Sequence, residues 1–153
     1  GNFSWKERKR GRRVGRPAGC VKRNADGSRY VTIGITIGIN YRHYYAHRVA
    51  WLLMTGEWPK ELIDHIDGDG TNNKWSNIRA ATKSENARNA RLRVDNKVGL
   101  KGVVCPKSSN KFHARVSING KRRHLGSFKT AEAAHKVYVA AATKYYGEFF
   151  RIT

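Results

Sequence analysis

The residues best suited to chemistry lie within residues 63–79, where Asp64 directly precedes His65 in a stretch that we predict to be a short β-strand. Adjacent side chains on a strand point to opposite faces of the sheet. On a twisted strand at the rim of a site, one of the two can bind a metal ion while the other faces a reacting water. Histidine, whose ordinary pKa is about 6.5, is a suitable general base for water at neutral pH.

Asn86 offers a second oxygen ligand beside Asp64. The stretch Thr82-Lys83-Ser84-Glu85 has the form of a capping box, which predicts a helix that begins with Thr82 as its N-cap and ends near Arg91. Asn86 follows in the first turns, where its amide oxygen can point back at the strand. Two hard oxygen donors are few for zinc but normal for Mg²⁺ or Mn²⁺, which keep waters and bind phosphate oxygens.

The stretch Asp67-Gly68-Asp69-Gly70 has a second possible use, as the start of a calcium loop. A loop counted from Asp67 needs an acidic residue at its twelfth position, where this chain has Ile78. We therefore expect Asp67 and Asp69 to be turn formers that close the loop. The remaining histidines singled out are expected to be packing or surface residues rather than ligands: His43, His47, His113 and His135.

The elements that must position these residues can be predicted from local signals. Regular structure is expected to begin near Ser28, with two β-rich runs and a hairpin at Gly38-Ile39-Asn40, then a helix from Ala46 to Thr55 that Gly56 ends. One short strand is expected to open at Leu62-Ile63 and to stop at the turn-rich residues 67–70, and a second is expected to pass through residues 77–79. After Asn96 we expect three short strands, a hairpin turn at Asn119-Gly120, and a helix over 131–146 that Thr130 caps. The apolar face of that helix is predicted to contain Ala134, Val137, Tyr138, Ala141 and Tyr145.

Charge indicates the class of partner. The 153 residues include 31 Lys and Arg against 11 Asp and Glu, a net charge of +20 that divides into +8 over residues 1–25, +3 over 26–98 and +9 over 99–153. Such an imbalance favours a polyanion, first of all nucleic acid. No apolar run is long enough to span a membrane, no signal peptide is apparent, and two distant cysteines suit a reducing compartment. We therefore expect an intracellular protein that binds no membrane.

The first 27 residues are predicted to be a basic arm. Gly11 precedes Arg12 and Arg13, Gly15 precedes Arg16, and Pro17 follows it, a pattern that suits an extended segment in an A·T-rich minor groove. A solvated basic tail without preferred structure is the equal alternative.

The central part of the chain resembles the His-Asn-His (HNH) homing endonucleases of phages. The resemblance rests on His47-Arg48-Val49-Ala50, Asp64-His65-Ile66-Asp67-Gly68-Asp69, Asn72-Asn73, Asn77-Ile78-Arg79 and Glu85-Asn86. It implies a ββα-metal (His-Me finger) fold over residues 28–97, with His65 as general base and Asp64 and Asn86 as ligands of Mg²⁺ or Mn²⁺. Asn77 would hold the loop and orient the base. The implied reaction is hydrolysis of a DNA phosphodiester to a 5′-phosphate and a 3′-hydroxyl.

Residues 98–153 resemble the ethylene-response-factor (Apetala-type) DNA-binding domain of plants, most clearly in Leu125-Gly126-Ser127-Phe128 and Thr130-Ala131-Glu132-Ala133-Ala134. The resemblance implies a three-stranded antiparallel sheet laid in the major groove with one helix behind it. Val104, Arg115, Ser117 and His124 depart from the plant pattern, so the plant recognition sequence does not carry over. Arg115 is our candidate for a contact to guanine, and phosphates are the expected partners of most of the set. The predicted contacts are Lys101, Lys107, Lys111, Arg115, Arg122, Arg123 and His124.

The sequence thus predicts an α+β protein with three parts: an arm (1–27), a nuclease domain (28–97) and a DNA-binding domain (98–153). The predicted function is that of a phage homing endonuclease that cuts double-stranded DNA in the cytoplasm of an infected bacterium. One site per chain predicts a nick by a monomer unless two chains act together as a homodimer. The alternatives are a non-catalytic DNA-binding regulator with a degenerate nuclease domain and, more weakly, an RNA-binding protein.

Overall fold

In a computed structural model of the chain, which describes residues 1–6, 14–93 and 95–152, packing divides the protein into two units. They are Gly1–Thr82 and Lys83–Thr153. Both contain helices and small antiparallel sheets, so the fold is mixed α and β. The boundaries expected from sequence, after residues 27 and 97, remain predictions.

A three-stranded antiparallel sheet opens the first unit. Its strands, in sheet order, are β1 (Cys20–Arg23), β2 (Arg29–Ile37) and β3 (Asn40–Tyr45). Alternation along β2 places Val31, Ile33 and Ile35 on one face, where they pack against α1 (Ala46–Thr55). The hairpin before Asn40 and the end of α1 at Gly56, whose φ is 80°, are both as predicted.

The expectation that regular structure begins near Ser28 is wrong. Strand β1 pairs with β2 through Cys20 and Thr32, and an isolated bridge joins Ser4 to Pro17. Ala18 is buried in the core of the first unit. An edge strand pairs with one neighbour and does not need an alternating apolar pattern. The exposed, basic sequence of β1 therefore carries no signal from which this strand could have been predicted. The predicted contacts Arg12 and Arg13 lie outside the described residues.

The candidate site is built on a second, two-stranded sheet in the same unit. Strand β4 (Leu62–His65) pairs antiparallel with β5 (Ile78–Ala81). The loop between them, residues 66–77, ends in one 3₁₀ turn at Trp75–Asn77. Both strands expected here are therefore present: the first opens at Leu62 as predicted, and the second begins one residue later than predicted.

The second unit contains the remaining sheet and two helices. In chain order its elements are α2 (Lys83–Asn89), β6 (Val103–Val104), β7 (Phe112–Ile118), β8 (Lys121–Phe128) and α3 (Ala131–Tyr146). The sheet has the order β6-β7-β8, and α3 covers one face. Asn119 and Gly120 have φ values of 50° and 75°, as a tight two-residue hairpin requires. The Thr130 hydroxyl accepts from the Ala133 N–H at 3.2 Å, which confirms the predicted cap.

The buried face of α3 agrees with the prediction at Ala134 and Tyr138 and differs from it by one residue in the later turns. The buried residues are Ala134, Tyr138, Ala142 and Tyr146, spaced by four, whereas Tyr145 is half exposed. The Tyr146 hydroxyl donates to the Ser117 carbonyl at 2.9 Å and accepts from its N–H at 3.0 Å. This polar anchor favours Tyr146 over Tyr145 as the residue that faces the sheet, and hydropathy alone does not reveal it.

Within the ranges that the structure describes, no helix is both long enough and apolar enough to cross a bilayer.

Candidate active site

The register of β4 and β5 determines the partners of the two predicted reactive residues. Asp64 lies opposite Arg79, and His65 lies opposite Ile78. Asp64 is 4% exposed and His65 is 5% exposed. Since neighbouring side chains point to opposite faces of the strand, both faces of β4 are covered at this point.

Asp64 forms a buried ion pair with Arg79. Arg79 Nη2 and Nε donate to the same Asp64 oxygen, Oδ2, at 2.8 and 3.0 Å. The two side chains are 5% and 13% exposed, so solvent screens the pair weakly. Asp64 is therefore held in one orientation by a neighbouring strand.

His65 is oriented by an amide from the loop. Its Nε2 lies 3.3 Å from Asn73 Oδ1, and Asn73 is itself buried. The Asn73 side-chain nitrogen, Nδ2, donates to the Thr71 carbonyl at 3.0 Å. This hydrogen bond fixes which end of the amide is the oxygen that faces His65. An amide oxygen only accepts, so His65 Nε2 is the donor in this hydrogen bond.

Aromatic rings enclose the same histidine. The rings of His47 and His65 are perpendicular with centroids 5.0 Å apart, and Tyr30 lies 6.1 Å from His65. Tyr45 stacks on His47 at 5.3 Å. Burial, together with the nearby His65 and Arg48, lowers the pKa of His47 from 6.5 to about 4. His47 is thus a packing residue, as expected, and it is neutral at pH 7.

Asn77 ties the two ends of the loop together. Its Oδ1 accepts from the Asp67 N–H at 3.1 Å, and its Nδ2 donates to Asp67 Oδ1 at 2.9 Å and to the Asn72 carbonyl at 2.8 Å. The Ile66 N–H also donates to the Asn77 carbonyl at 2.8 Å. Every polar atom of this buried side chain therefore bonds the loop that follows His65.

Asp67 and Asp69 are turn formers, as predicted. Asp67 Oδ1 accepts from the Asp69 N–H at 2.8 Å, and Asp69 Oδ1 accepts from both the N–H and the hydroxyl of Thr71. Burial raises the pKa of Asp67, but hydrogen bonds from Asp69, Asn72 and Asn77 outweigh it and lower that pKa overall. The Thr71 hydrogen bonds lower the pKa of Asp69. Both carboxylates are committed to the loop as anions.

Gly70 lets the loop approach β2 closely. A Cβ at this position would overlap the Arg29 carbonyl oxygen and the ring of Tyr30. Tyr30 also contacts His65. The Tyr30 ring on β2 therefore packs against both the loop and the histidine.

Asn86 lies on α2 with an exposed side chain, in the second unit, whereas Asp64 belongs to the first. Their pairing as metal ligands stays a prediction. One carboxylate and one amide oxygen are a donor set that fits Mg²⁺ or Mn²⁺. Within residues 1–6, 14–93 and 95–152, no three His, Cys, Asp or Glu side chains are grouped so as to hold a metal ion.

The predicted DNA contacts of the second unit fall on different faces of its sheet. Arg115 pairs with His124, and Arg122 pairs with Ser117, so all four lie on the open face. Arg123 pairs with the buried Val116, which places it on the face that α3 covers, although its side chain is exposed. Outside the strands, exposed side chains from the predicted set are those of Arg16, Lys107 and Lys111.

Lys101 differs from the other predicted contacts. Its ammonium donates to the Arg151 carbonyl at 2.7 Å and to the Arg88 carbonyl at 3.5 Å. Burial, with a smaller effect of Arg151, lowers its pKa from 10.5 to about 8. These contacts give Lys101 a structural role within the second unit.

The open face also carries a histidine pair. Ser127 Oγ lies 3.2 Å from His113 Nδ1 and 3.3 Å from His124 Nε2, and the two rings are 5.3 Å apart. His113 pairs with Ser127 across the strands. From sequence, His124 was predicted to contact DNA and His113 was expected to be a packing or surface residue; the alternation of β7 could have placed His113 on the same face as Arg115.

Two residues at the site, Arg79 and Asn73, were given no role from sequence, and His47 was expected only to be a packing or surface residue. Each lies within the segments of family resemblance. Arg79 could have been found from the β4–β5 register, because Asp64 and Arg79 are equidistant from the turn. The contact of His47 with His65 joins residues 18 positions apart and has no local signal.

A family model described as HNH endonuclease matches residues 44–88. The chain is 33% identical over 105 residues to an uncharacterized HNH endonuclease of Acanthamoeba polyphaga mimivirus, a match that covers 67% of this chain and 54% of that protein. It is 30% identical over 117 residues to protein 3.8 of Escherichia phage T7, covering 73% of this chain and 96% of that protein. No solved structure matches.

Proposed function

Because the chain belongs to the HNH endonuclease family, we propose that it is a metal-dependent endonuclease that hydrolyses a phosphodiester of double-stranded DNA. The observation that carries this proposal is the pair Asp64-His65, buried on one short strand with each side chain held by a separate partner. Arg79 holds the carboxylate, and Asn73 holds the imidazole. A surface turn of the same composition would leave both side chains exposed.

His65 acts as the general base in this proposal. It takes a proton from a water while Asn73 holds its ring through Nε2. That water attacks phosphorus in line with the departing 3′ oxygen, giving a 5′-phosphate and a 3′-hydroxyl. Asn77 contributes indirectly, because it fixes the loop that carries Asn73.

Asp64 and Asn86 are the residues that would hold a Mg²⁺ or Mn²⁺ ion. When bound, such an ion supplies Lewis-acid stabilisation of the negative charge on the phosphate and the departing oxygen. The chain's own contribution is to keep the Asp64 carboxylate in one orientation, which the Arg79 guanidinium does.

The second unit acts as the DNA reader in this proposal. Its open sheet face presents Arg115, Arg122 and His124. Lys107 and Lys111 lie in the loop between β6 and β7. The +9 charge of residues 99–153 suits a duplex, and the Apetala-type pattern suits a sheet in the major groove. Arg12, Arg13 and Arg16 of the arm add phosphate or minor-groove contacts. We further propose a phage homing role in the bacterial host, with one strand nicked by each chain.

A plasmid assay tests the proposal against the alternative of a non-catalytic DNA-binding regulator. Supercoiled plasmid is incubated with the protein and Mg²⁺ or Mn²⁺, and the same assay is run with His65→Ala and with EDTA. We expect conversion to the nicked form by the parent, none by the variant or with EDTA, and DNA binding by both proteins in a gel-shift assay. A parent that binds its DNA target with high affinity and never cuts it would favour the regulator.

A further inference from the structure

Two histidines meet at one serine hydroxyl on the open face of the second unit's sheet, the face that α3 does not cover. Ser127 Oγ lies 3.2 Å from His113 Nδ1 and 3.3 Å from His124 Nε2. The other nitrogen of His113, Nε2, lies 3.4 Å from Ser109 Oγ. His113 therefore has a hydroxyl oxygen beside each of its ring nitrogens.

A hydroxyl can serve a histidine in either charge state. It donates its proton to an unprotonated ring nitrogen, and its oxygen accepts from a protonated one. Ser109 Oγ accepts from the Lys111 N–H at 3.1 Å, which leaves its second lone pair for the His113 ring. When both imidazoles are protonated, Ser127 Oγ can accept from both of them, and its own O–H then turns outward. These hydroxyls accommodate two positive charges without the loss of a hydrogen bond.

The strands around this cluster bring cations and no anion. Arg115 lies opposite His124, and Arg122 is on the same face of β8. On the other side, Val104 of β6 lies opposite His113. Strands β6, β7 and β8 contain no Asp or Glu. No carboxylate of the sheet therefore neutralises a charge on either ring.

The segments next to the sheet have the same character. The loop between β6 and β7 contributes the thiol of Cys105 and the ammonium groups of Lys107 and Lys111. The side-chain carboxylates of residues 99–153 are those of Glu132, in the first turn of α3, and Glu148, in the 3₁₀ turn Gly147–Phe149. Both lie outside the strands. The charge of two protonated histidines on this face is best compensated by a bound anion.

His124 has an atom available for that anion. Its side chain is exposed, and among the described residues its hydrogen bonding involves Nε2 and not Nδ1. We propose that His113, Ser127 and His124 form a phosphate site, in which binding of a DNA backbone phosphate is coupled to protonation of both imidazoles. The inference rests on the proposed binding of DNA by the second unit and not on cleavage.

Each member of the site has its own part. The His124 Nδ1–H and the Ser127 O–H donate to phosphate oxygens, and the protons that are taken up come from solvent. His113 is a positioning residue, because it donates to Ser127 Oγ and so turns the Ser127 proton outward.

Proton uptake makes DNA affinity depend on pH, and this dependence is the test. Phosphate contacts are independent of sequence, so a fluorescent DNA duplex of any sequence serves, with EDTA present to prevent cutting. Between pH 7.5 and pH 6, at constant salt, we expect the affinity of the parent to rise about ten-fold. The double variant His113→Gln/His124→Gln keeps polar side chains that do not titrate, and its affinity should change little.

His43→Gln is the matched control, because His43 is an exposed histidine of the first unit. It should show the parental rise. Lys101, whose pKa is lowered by burial to about 8, is unchanged in every protein and contributes equally. An equal rise in the parent and the double variant would overturn the inference.

A double-mutant cycle tests the role of His113. If His113 acts through Ser127, His113→Gln should flatten the pH profile of the parent and have little further effect in the Ser127→Ala background. Additive losses would overturn this role. DNA binding with the expected pH profile but no cutting in the plasmid assay would contradict the proposed nuclease and support the phosphate site. Absence of DNA binding at every pH would contradict both.

Discussion

Arg79 places two nitrogens on one oxygen of Asp64, at 2.8 and 3.0 Å, across the two-stranded sheet that carries the candidate site. Both charges are largely buried, so each one compensates the desolvation of the other. Besides stabilising the fold, the pair bears on the proposed metal site. The guanidinium fixes the orientation of a proposed metal ligand before a cation arrives.

Removal of Arg79 should therefore destabilise the protein and make it responsive to metal. Arg79→Ala leaves a buried carboxylate without its cation, and we expect a loss of about 3 kcal/mol in the free energy of unfolding. If Asp64 is a metal ligand, Mg²⁺ should restore part of that loss. Urea unfolding with and without Mg²⁺ measures both effects.

Asp64→Asn in the Arg79→Ala background is the control for this metal effect, since it removes the charge that would attract the ion. We expect Mg²⁺ to have no effect on the double variant. An equal Mg²⁺ response in the single and double variants would show that the ion acts elsewhere.

We expect substitution of Asn77 to lower the stability of the protein, and to lower activity only through the loop that Asn77 holds. Asn77→Ala removes three hydrogen bonds and leaves the Asp67 N–H and the Asn72 carbonyl without them, so we expect about 2–3 kcal/mol of destabilisation. Asn77→Asp keeps the acceptor but sets a carboxylate against Asp67, and we expect at least the same loss. Chemical denaturation of the three proteins at pH 7 measures it. Unchanged stability in both variants would contradict a structural role.

Local signals allowed the ends of several elements in both units to be predicted. Gly56 ends α1, Thr130 begins α3, and Asn119-Gly120 turns the hairpin between β7 and β8. Each of these signals acts within four residues of the structure it determines. The turn-forming roles of Asp67 and Asp69 were predicted for the same reason, because their acceptors bond N–H groups two residues ahead.

The partners of the reactive residues depend on tertiary structure and could not be predicted in this way. His47 meets His65 only because α1 and β4 pack in one unit, and Arg79 meets Asp64 only through the strand register. The phase of α3 was misjudged by one residue because a hydrogen bond from Tyr146 to Ser117 decides it. Sequence identified the residues that could do chemistry, whereas the structure supplies the contacts that orient them.

Neighbouring arginines on β8 allow a matched test of the proposed DNA face. Arg122 lies on the open face and Arg123 on the face that α3 covers. If the open face binds phosphates, Arg122→Ala should reduce the slope of log affinity against log salt by about one, and Arg123→Ala should leave it unchanged. Binding titrations between about 50 and 200 mM salt measure the slopes. Equal losses in both variants would contradict a DNA face defined by this register.

Stability should fall between pH 6.5 and pH 4 because of His47. Its pKa is about 4 in the folded protein against 6.5 ordinarily, so the unfolded chain binds a proton in this range and the folded protein does not. The contribution is fully present above pH 6.5 and is lost as pH falls toward 4. Between pH 7 and pH 5 we expect the free energy of unfolding to decrease by about 2 kcal/mol.

Urea unfolding at pH 7, 6 and 5 measures this loss, and His47→Phe identifies its source. The carboxylates with lowered pKa values, such as Asp67 and Asp69, begin from an ordinary value of 3.8 and therefore act mainly below this window. His47→Phe lacks the titrating group, so its stability should change little from pH 7 to pH 5. A decrease of the same size in the variant and the parent would assign the pH dependence to other groups.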